Sequence, residues 1–269
     1  MKIAIIGGTG IYTIADSGER EVIVTPYGDV IVYKSVVENH QIIFIPRHGE
    51  HHHLAPHEVN YRGNIWALAT LGVEQIIATQ AVGSMAAIYP LRSFVILTDF
   101  IDFTRSRPST FFAGDGVPVH HVDVSTPYCP NLAQSLISAA AEIDYTVLKG
   151  GIYACMEGPR FETSAEIRML SMLGANLVGM TSVPEVVLAR EAGICYGSLA
   201  IVCNWAAGIA NAALSEGEVT DIMDECGAAV RMIIRQYLRN MRDEQCNCVN
   251  GNLRNEVIAI APVVKETIL

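Results

Sequence analysis

Four short stretches of this chain concentrate residue types that do chemistry. Gly7-Gly8-Thr9-Gly10 follows an apolar run, where glycines let a backbone approach a ligand closely and Thr9 adds a hydroxyl donor. Pro46-Arg47-His48-Gly49 ends a second apolar run, and the planar fork of Arg47 suits a phosphate at the edge of a sheet. The segment Glu157 to Thr163 sets an aromatic face, Phe161, beside a carboxylate, Glu162, and Asn204 closes the apolar run from Ser198 to Cys203. Each has a plainer reading: a tight turn for the glycines, a solvated loop for Arg47 and His48, a core aromatic for Phe161, a turn residue for Asn204. The glycines also invite a dinucleotide fingerprint, but its third glycine, three residues after Gly10, is Thr13. His48, His51, His52, His53 and His57 raise a metal hypothesis. They lack the His-Glu-x-x-His arrangement, and no cysteine or carboxylate is placed to complete a tetrahedral set, so no metal is expected there.

The order of the motifs is more specific than any one of them. Glu-Gly-Pro-Arg-Phe-Glu-Thr (157–163), then Gly179-Met180-Thr181, then Val183-Pro184-Glu185 resembles the trimeric-type nucleoside phosphorylases, a family of purine nucleoside, methylthioadenosine and methylthioinosine phosphorylases. The resemblance runs over about residues 3 to 240. It implies a nucleoside phosphorylase-like α/β fold with a mixed central β-sheet covered by helices, and attack of inorganic phosphate on C1′ of a purine nucleoside. Phosphate is then a co-substrate, with no cofactor and no covalent enzyme intermediate.

Carried onto this chain, the resemblance assigns Thr9, Arg47, His48, Ala81 (through its amide) and Thr181 to phosphate, and Met180 to the ribose. His52 would approach the sugar. Phe161, Glu162 and Asn204 would hold the base, with Asn204 as the catalytic residue. Gln80 departs from the Thr, Ser or Asn common in relatives. Asn204 stands where methylthioadenosine phosphorylases carry the first Asp of an Asp-Tyr-Asp stretch, and Ala206 replaces the second. A carboxylate accepts from N1–H of hypoxanthine or guanine, and an asparagine amide donates to O6 and orients towards N7, so a 6-oxopurine is expected rather than adenine. Asn204-Trp205-Ala206-Ala207-Gly208 resembles the methylthioinosine branch, whereas Glu216 would suit a 5′-hydroxyl, or else is a solvated first-turn residue. His121 aligns with a residue donated to a neighbouring subunit's 5′ pocket, which implies homotrimers or dimers of trimers.

Bulk properties narrow the partners. A net charge of -10 and a pI near 5.2 argue against nucleic acid, which calls for a basic face. No uninterrupted apolar stretch reaches the roughly 20 residues of a spanning helix, and no secretory signal precedes the first strand, so a cytoplasmic protein is expected. Seven scattered cysteines are no disulfide framework. Cys246-Asn247-Cys248 leaves three options, a strained disulfide, a soft-metal site or free thiols, and in a thermophile Cys129 pairing with Cys195 is conceivable.

Elements able to position these residues alternate along the chain. Strands are expected at 2–6, 22–24, 30–33, 42–45, 75–79, 94–100, 151–156, 177–179 and 198–203, and helices at 64–71, 131–143, 164–173, 184–192 and 218–242. The expected organisation is one domain over 1–244 and an extension, 245–269, packed on it or on a neighbouring subunit. The apolar run Val257 to Val264, broken by Pro262, reads as an edge strand, a cap or a loose tail.

Overall fold

The computed structural model describes residues 1–11, 18–114, 116–210, 214–241, 246, 248 and 253–267, with the backbone alone at Glu216 and 261–267. Nine strands form one mixed sheet: β1 (Ile3–Gly7), β2 (Glu19–Ile23), β3 (Val30–Val37), β4 (His40–Pro46), β5 (Gln75–Ser84), β6 (Phe94–Asp102), β7 (Val147–Cys155), β8 (Leu177–Gly179) and β9 (Cys195–Trp205). Their order is β2-β3-β4-β1-β5-β8-β7-β6-β9, and β9 also pairs with β5, so the last five strands close on themselves. Strands β1 and β4, β1 and β5, and β5 and β9 pair parallel. The carboxyl ends of these four strands therefore point one way, and in α/β sheets ligands bind outside such ends. Thr9 follows β1, Arg47 follows β4, Ala81 lies late in β5 and Asn204 late in β9.

Helices cover both faces. Helix α1 (Tyr61–Thr70), α4 (Ser182–Glu191) and α6 (Arg254–Thr267) pack on one side, with Leu68, Leu188 and Val257 in a shared core with Ala4, Ala78 and Ala200. Helices α2 (Pro130–Ala141) and α5 (Glu216–Asn240) cover the other side. Along α5 the residues Ile222, Met223, Cys226, Val230, Ile233, Ile234, Tyr237 and Leu238 are buried at helical spacing, so one stripe faces the sheet. Pro130 at the start of α2 has a preset φ and no N–H to leave unpaired.

The C-terminal run is a helix, not an edge strand: Val257 and Ile260, three residues apart, are both buried against the α1 side of the core, a spacing that a strand would send to opposite faces. The expected strand at 22–24 sits earlier, at Glu19–Ile23, because its register follows antiparallel pairing with β3, and Val22 and Val24 are exposed. Among the described residues the next element after the glycine turn is β2, a strand, where a dinucleotide-binding unit would continue with a helix.

Helix α3 (Ser164–Met172) begins where the Glu157 to Thr163 segment ends. Thr163 accepts from the Glu166 amide (3.2 Å), and Glu166 accepts from the Thr163 amide (2.7 Å) while pairing with Arg160. This capping box anchors the segment that carries Phe161 and Glu162. Thr163→Ala is expected to cost about 1 kcal/mol of unfolding free energy, measured by urea denaturation; an unchanged midpoint would mean the box is dispensable.

Candidate active site

A cavity of about 370 Å³ opens at the carboxyl ends of the parallel strands. It is lined by Thr9, Arg47, His48, Ala81 and Thr181, and also by Phe161, Glu162, Met180 and Asn204. Residues drawn from positions 9 to 204 thus converge on one space of the size that holds a small ligand. His121 is exposed and does not line the cavity of its own chain. The side chain of Glu216 lies outside the described residues.

Arg47 is the best-fixed side chain of the site. It has no exposed side-chain surface, and neither has Glu185. Nε and Nη2 of Arg47 donate to the two carboxylate oxygens of Glu185 at 2.7 and 2.8 Å, and Nη1 donates to the Thr79 carbonyl at 2.9 Å. Burial opposes the charge on Arg47, but the Glu185 carboxylate overcomes it and holds the guanidinium protonated. Of its five N–H groups these bonds commit three. Gly8 permits this placement: a Cβ there would lie 2.9 Å from Nη1 and 2.8 Å from the Thr79 carbonyl.

A buried chain of hydrogen bonds extends from the pair. Tyr196 donates its hydroxyl to Glu185 (2.6 Å), Gln80 donates its amide to the Tyr196 oxygen (3.4 Å), and Thr181 donates to the Gln80 carbonyl oxygen (3.3 Å). Gln80 therefore spends both ends of its amide joining the Thr181 hydroxyl to the Arg47 clamp. The Thr181 amide donates to Tyr153 (3.0 Å).

His48 is hydrogen-bonded through Nδ1 to the Leu54 carbonyl at 2.8 Å, so Nδ1 carries hydrogen. Burial first, and then Arg47, lowers its pKa to about 4. At neutral pH the ring is uncharged and its Nε2 is an acceptor, suited to a hydroxyl of a protonated phosphate rather than to a bare anionic oxygen. With Arg47 balanced by Glu185 and His48 uncharged, the region is close to neutral.

The same cavity is also lined by Glu162 and Asn204, both buried, and by Phe161, which is 38% exposed. Glu162 Oε1 is buried without a hydrogen-bond partner among the described residues, and burial raises the carboxyl's pKa. An unpaired buried oxygen calls for a donor from a ligand. Asn204 gives one amide hydrogen to the Trp205 carbonyl (2.9 Å), leaving the other hydrogen and its carbonyl oxygen. Together they offer both donor and acceptor to the edge of a heterocycle.

Several contributors escape sequence reasoning. Arg107 donates to the carbonyls of Met180 (2.5 Å), Val183 (2.9 Å) and Glu157 (2.6 Å), tying together the two motif segments. Nothing in its sequence neighbourhood marks it. Glu185 had a signal, since a carboxylate inside Val-Pro-Glu-Val-Val must be paired. His52 and His53 line the cavity, whereas His53 reads in sequence as a solvated loop residue.

Comparison with known proteins gives one consistent result. The model of the phosphorylase superfamily matches residues 2–239. A protein of Moorella thermoacetica named "Probable 6-oxopurine nucleoside phosphorylase" is 50% identical, over 92% of this chain and 96% of its own. One of Methanosarcina acetivorans named "Probable S-methyl-5'-thioinosine phosphorylase" is 47% identical, over 92% and 93%. Among solved structures, a methylthioadenosine phosphorylase from an antarctic soil metagenomic library superimposes with a TM-score of 0.84 at 35% identity, covering 93% of this chain and 90% of that one.

The depressed pKa of His48 has a measurable consequence. The folded state binds fewer protons than the unfolded state once the pH falls below about 6.5, the ordinary histidine value, so stability drops as pH is lowered from there towards about 4. The expected loss attributable to His48 is about 2 kcal/mol at pH 5. It should appear as the difference between wild type and His48→Gln in urea titrations at pH 7 and pH 5; parallel pH curves would contradict the neutral, buried ring.

Proposed function

The chain belongs to the phosphorylase superfamily, and on that premise we propose that it is a pentosyltransferase catalysing reversible phosphorolysis of 6-oxopurine nucleosides, inosine and guanosine, to the free base and ribose 1-phosphate. The observation that carries the base preference is the buried, unpaired oxygen of Glu162, a residue that lines the same cavity as Asn204. A 6-oxopurine brings an N1–H donor for the carboxylate and an O6 acceptor for the amide. Adenine brings the reverse at both atoms, and each unmet buried group costs about 1–3 kcal/mol.

In the proposed reaction an oxygen of phosphate forms the bond to C1′ as the bond from C1′ to N9 breaks. The purine leaves with the electron pair and takes up a proton. Arg47, Thr9, Thr181, His48 and the Ala81 amide hold phosphate on one side, and Met180 lies under the ribose. Phe161 offers a face to the base. Asn204 is the catalytic residue in this scheme, because a contact at N7 strengthens as negative charge builds there. No cofactor and no catalytic metal enters these steps, and phosphate is a co-substrate.

A second reading, phosphorolysis of S-methyl-5'-thioinosine, is favoured by Val219, an apolar side chain from the first turn of α5 that lines the cavity. Both readings share the base site. The name of the Moorella relative supports the first, and that of the Methanosarcina relative supports the second.

The proposal includes a homotrimer or dimer of trimers with His121 serving a neighbouring cavity, and a cytoplasmic setting with nucleoside and phosphate as its small-molecule partners. Val119, 74% exposed two residues before His121, supports a covering subunit there. Among the described residues no helix is long and apolar enough to cross a membrane.

Phosphate-dependent base release from inosine, guanosine, S-methyl-5'-thioinosine, S-methyl-5'-thioadenosine and adenosine tests the assignment. One of the 6-oxopurine nucleosides should have the highest kcat/KM, and Asn204→Asp should shift the inosine-to-adenosine ratio towards adenosine by about tenfold or more, equivalent to about 1.4 kcal/mol. Preference of the wild type for an adenine nucleoside, or an unmoved ratio in the variant, would overturn it.

A further inference from the structure

Four of the seven cysteines meet at the end of the sheet opposite the cavity. The sulfurs of Cys129, Cys195, Cys246 and Cys248 all lie within 4.8 Å of one another, with Cys195 and Cys246 at 2.9 Å. Cys195 is the first residue of β9, and Asn204 lies nine residues further along that strand, about 30 Å away at about 3.3 Å per residue. The cluster is therefore separate from the proposed phosphorolysis.

We propose that these four cysteines form a structural tetrathiolate site for a zinc-class divalent cation, which fastens the segment after α5 to the core. Tetrahedral zinc with metal–sulfur bonds of about 2.3 Å places its sulfurs about 3.8 Å apart, between the 2.9 Å of Cys195 and Cys246 and the 4.8 Å within which all four sulfurs lie. Two ligands sit on rigid elements. Cys129 is the N-cap of α2, and its sulfur accepts from the Leu132 amide at 3.5 Å; a helix N-terminus and an N–H donor both favour a thiolate. Cys195 is held by β9, where its amide donates to the Glu74 carbonyl at 3.0 Å. The other two come from a Cys-x-Cys pair on the C-terminal connection.

The surroundings fit a metal–thiolate core of net charge −2. Buried Arg190 donates to the Cys248 carbonyl at 3.1 Å, and its Nε is buried without a hydrogen-bond partner among the described residues. Arg254 donates to the carbonyls of Ala192 and Gly193, just before Cys195. Cys129 and Cys246 also border a groove of about 690 Å³ that includes Asn131 and Tyr237, which gives an ion a way in. Binding releases the remaining thiol protons to solvent and transfers no electrons. A pair of disulfides would instead need an oxidant to remove four electrons and four protons.

The test uses the full chain purified under reducing conditions, with zinc measured by mass spectrometry and cobalt(II) substitution followed by absorption. About one zinc per chain and the absorption of tetrahedral thiolate cobalt are expected. The double variant Cys246→Ser, Cys248→Ser should lose the metal while keeping its phosphorolysis rate within about twofold. A measurement on the unaltered chain guards against a variant that fails to fold: four more thiols should become reactive to an alkylating agent once a strong chelator is added. Zinc retained by the double variant, a metal-free chain with a mass deficit of four hydrogens, or four thiols that react freely without chelator would each overturn the proposal.

Discussion

A guanidinium and a carboxylate, both shut away from water, fix the geometry from which the rest of the site follows. Removing one partner of a buried pair typically costs about 3–5 kcal/mol, because the other charge is left stranded. Arg47 and Glu185 are 138 residues apart in the chain, so the pair closes only when β4 and α4 are both in place. Gly8 leaves room for it, the Thr79 carbonyl completes it, and Tyr196 and Gln80 pass its orientation on to Thr181. The fold thus spends its most expensive interaction on the position of one arginine.

The pair also bears on how a chain of net charge -10 would hold the phosphate of the proposed reaction. Since Glu185 cancels Arg47 and His48 is neutral, recognition there would depend on the direction of donors more than on bulk positive potential. At Glu162, in the same cavity, the opposite device operates. The buried oxygen of Glu162 is left unsatisfied, and a ligand that completes it is selected over one that does not. One part is over-determined before a ligand arrives and the other is incomplete until it does.

Much of this was legible in the sequence where the physics is local. Apolar runs and amphipathic stretches carry the order of strands and helices, and Thr163 with Glu166 announces the start of α3. The motif residues Thr9, Arg47, Glu162, Thr181 and Asn204 are each marked by type and by position after a strand or turn, and they share one cavity. Long-range pairing is what the sequence hides. Nothing near Gln80 indicates that its amide joins Thr181 to Tyr196, and nothing near Arg107 foretells four backbone carbonyls. The C-terminal run misleads for a related reason, since its short apolar stretch suits either a strand or a helix and only the groove beside α1 decides.

The most direct test is of the Arg47–Glu185 pair itself, through the steady-state kinetics of Glu185→Gln with phosphate and nucleoside varied independently. Glutamine keeps the shape and one acceptor but leaves Arg47 unbalanced and loosely held. The KM for phosphate should rise about tenfold or more, corresponding to at least about 1.4 kcal/mol, while the KM for the nucleoside stays within about twofold. A folded variant with an unchanged phosphate KM, or a loss confined to the nucleoside, would contradict the assignment of the clamp to phosphate.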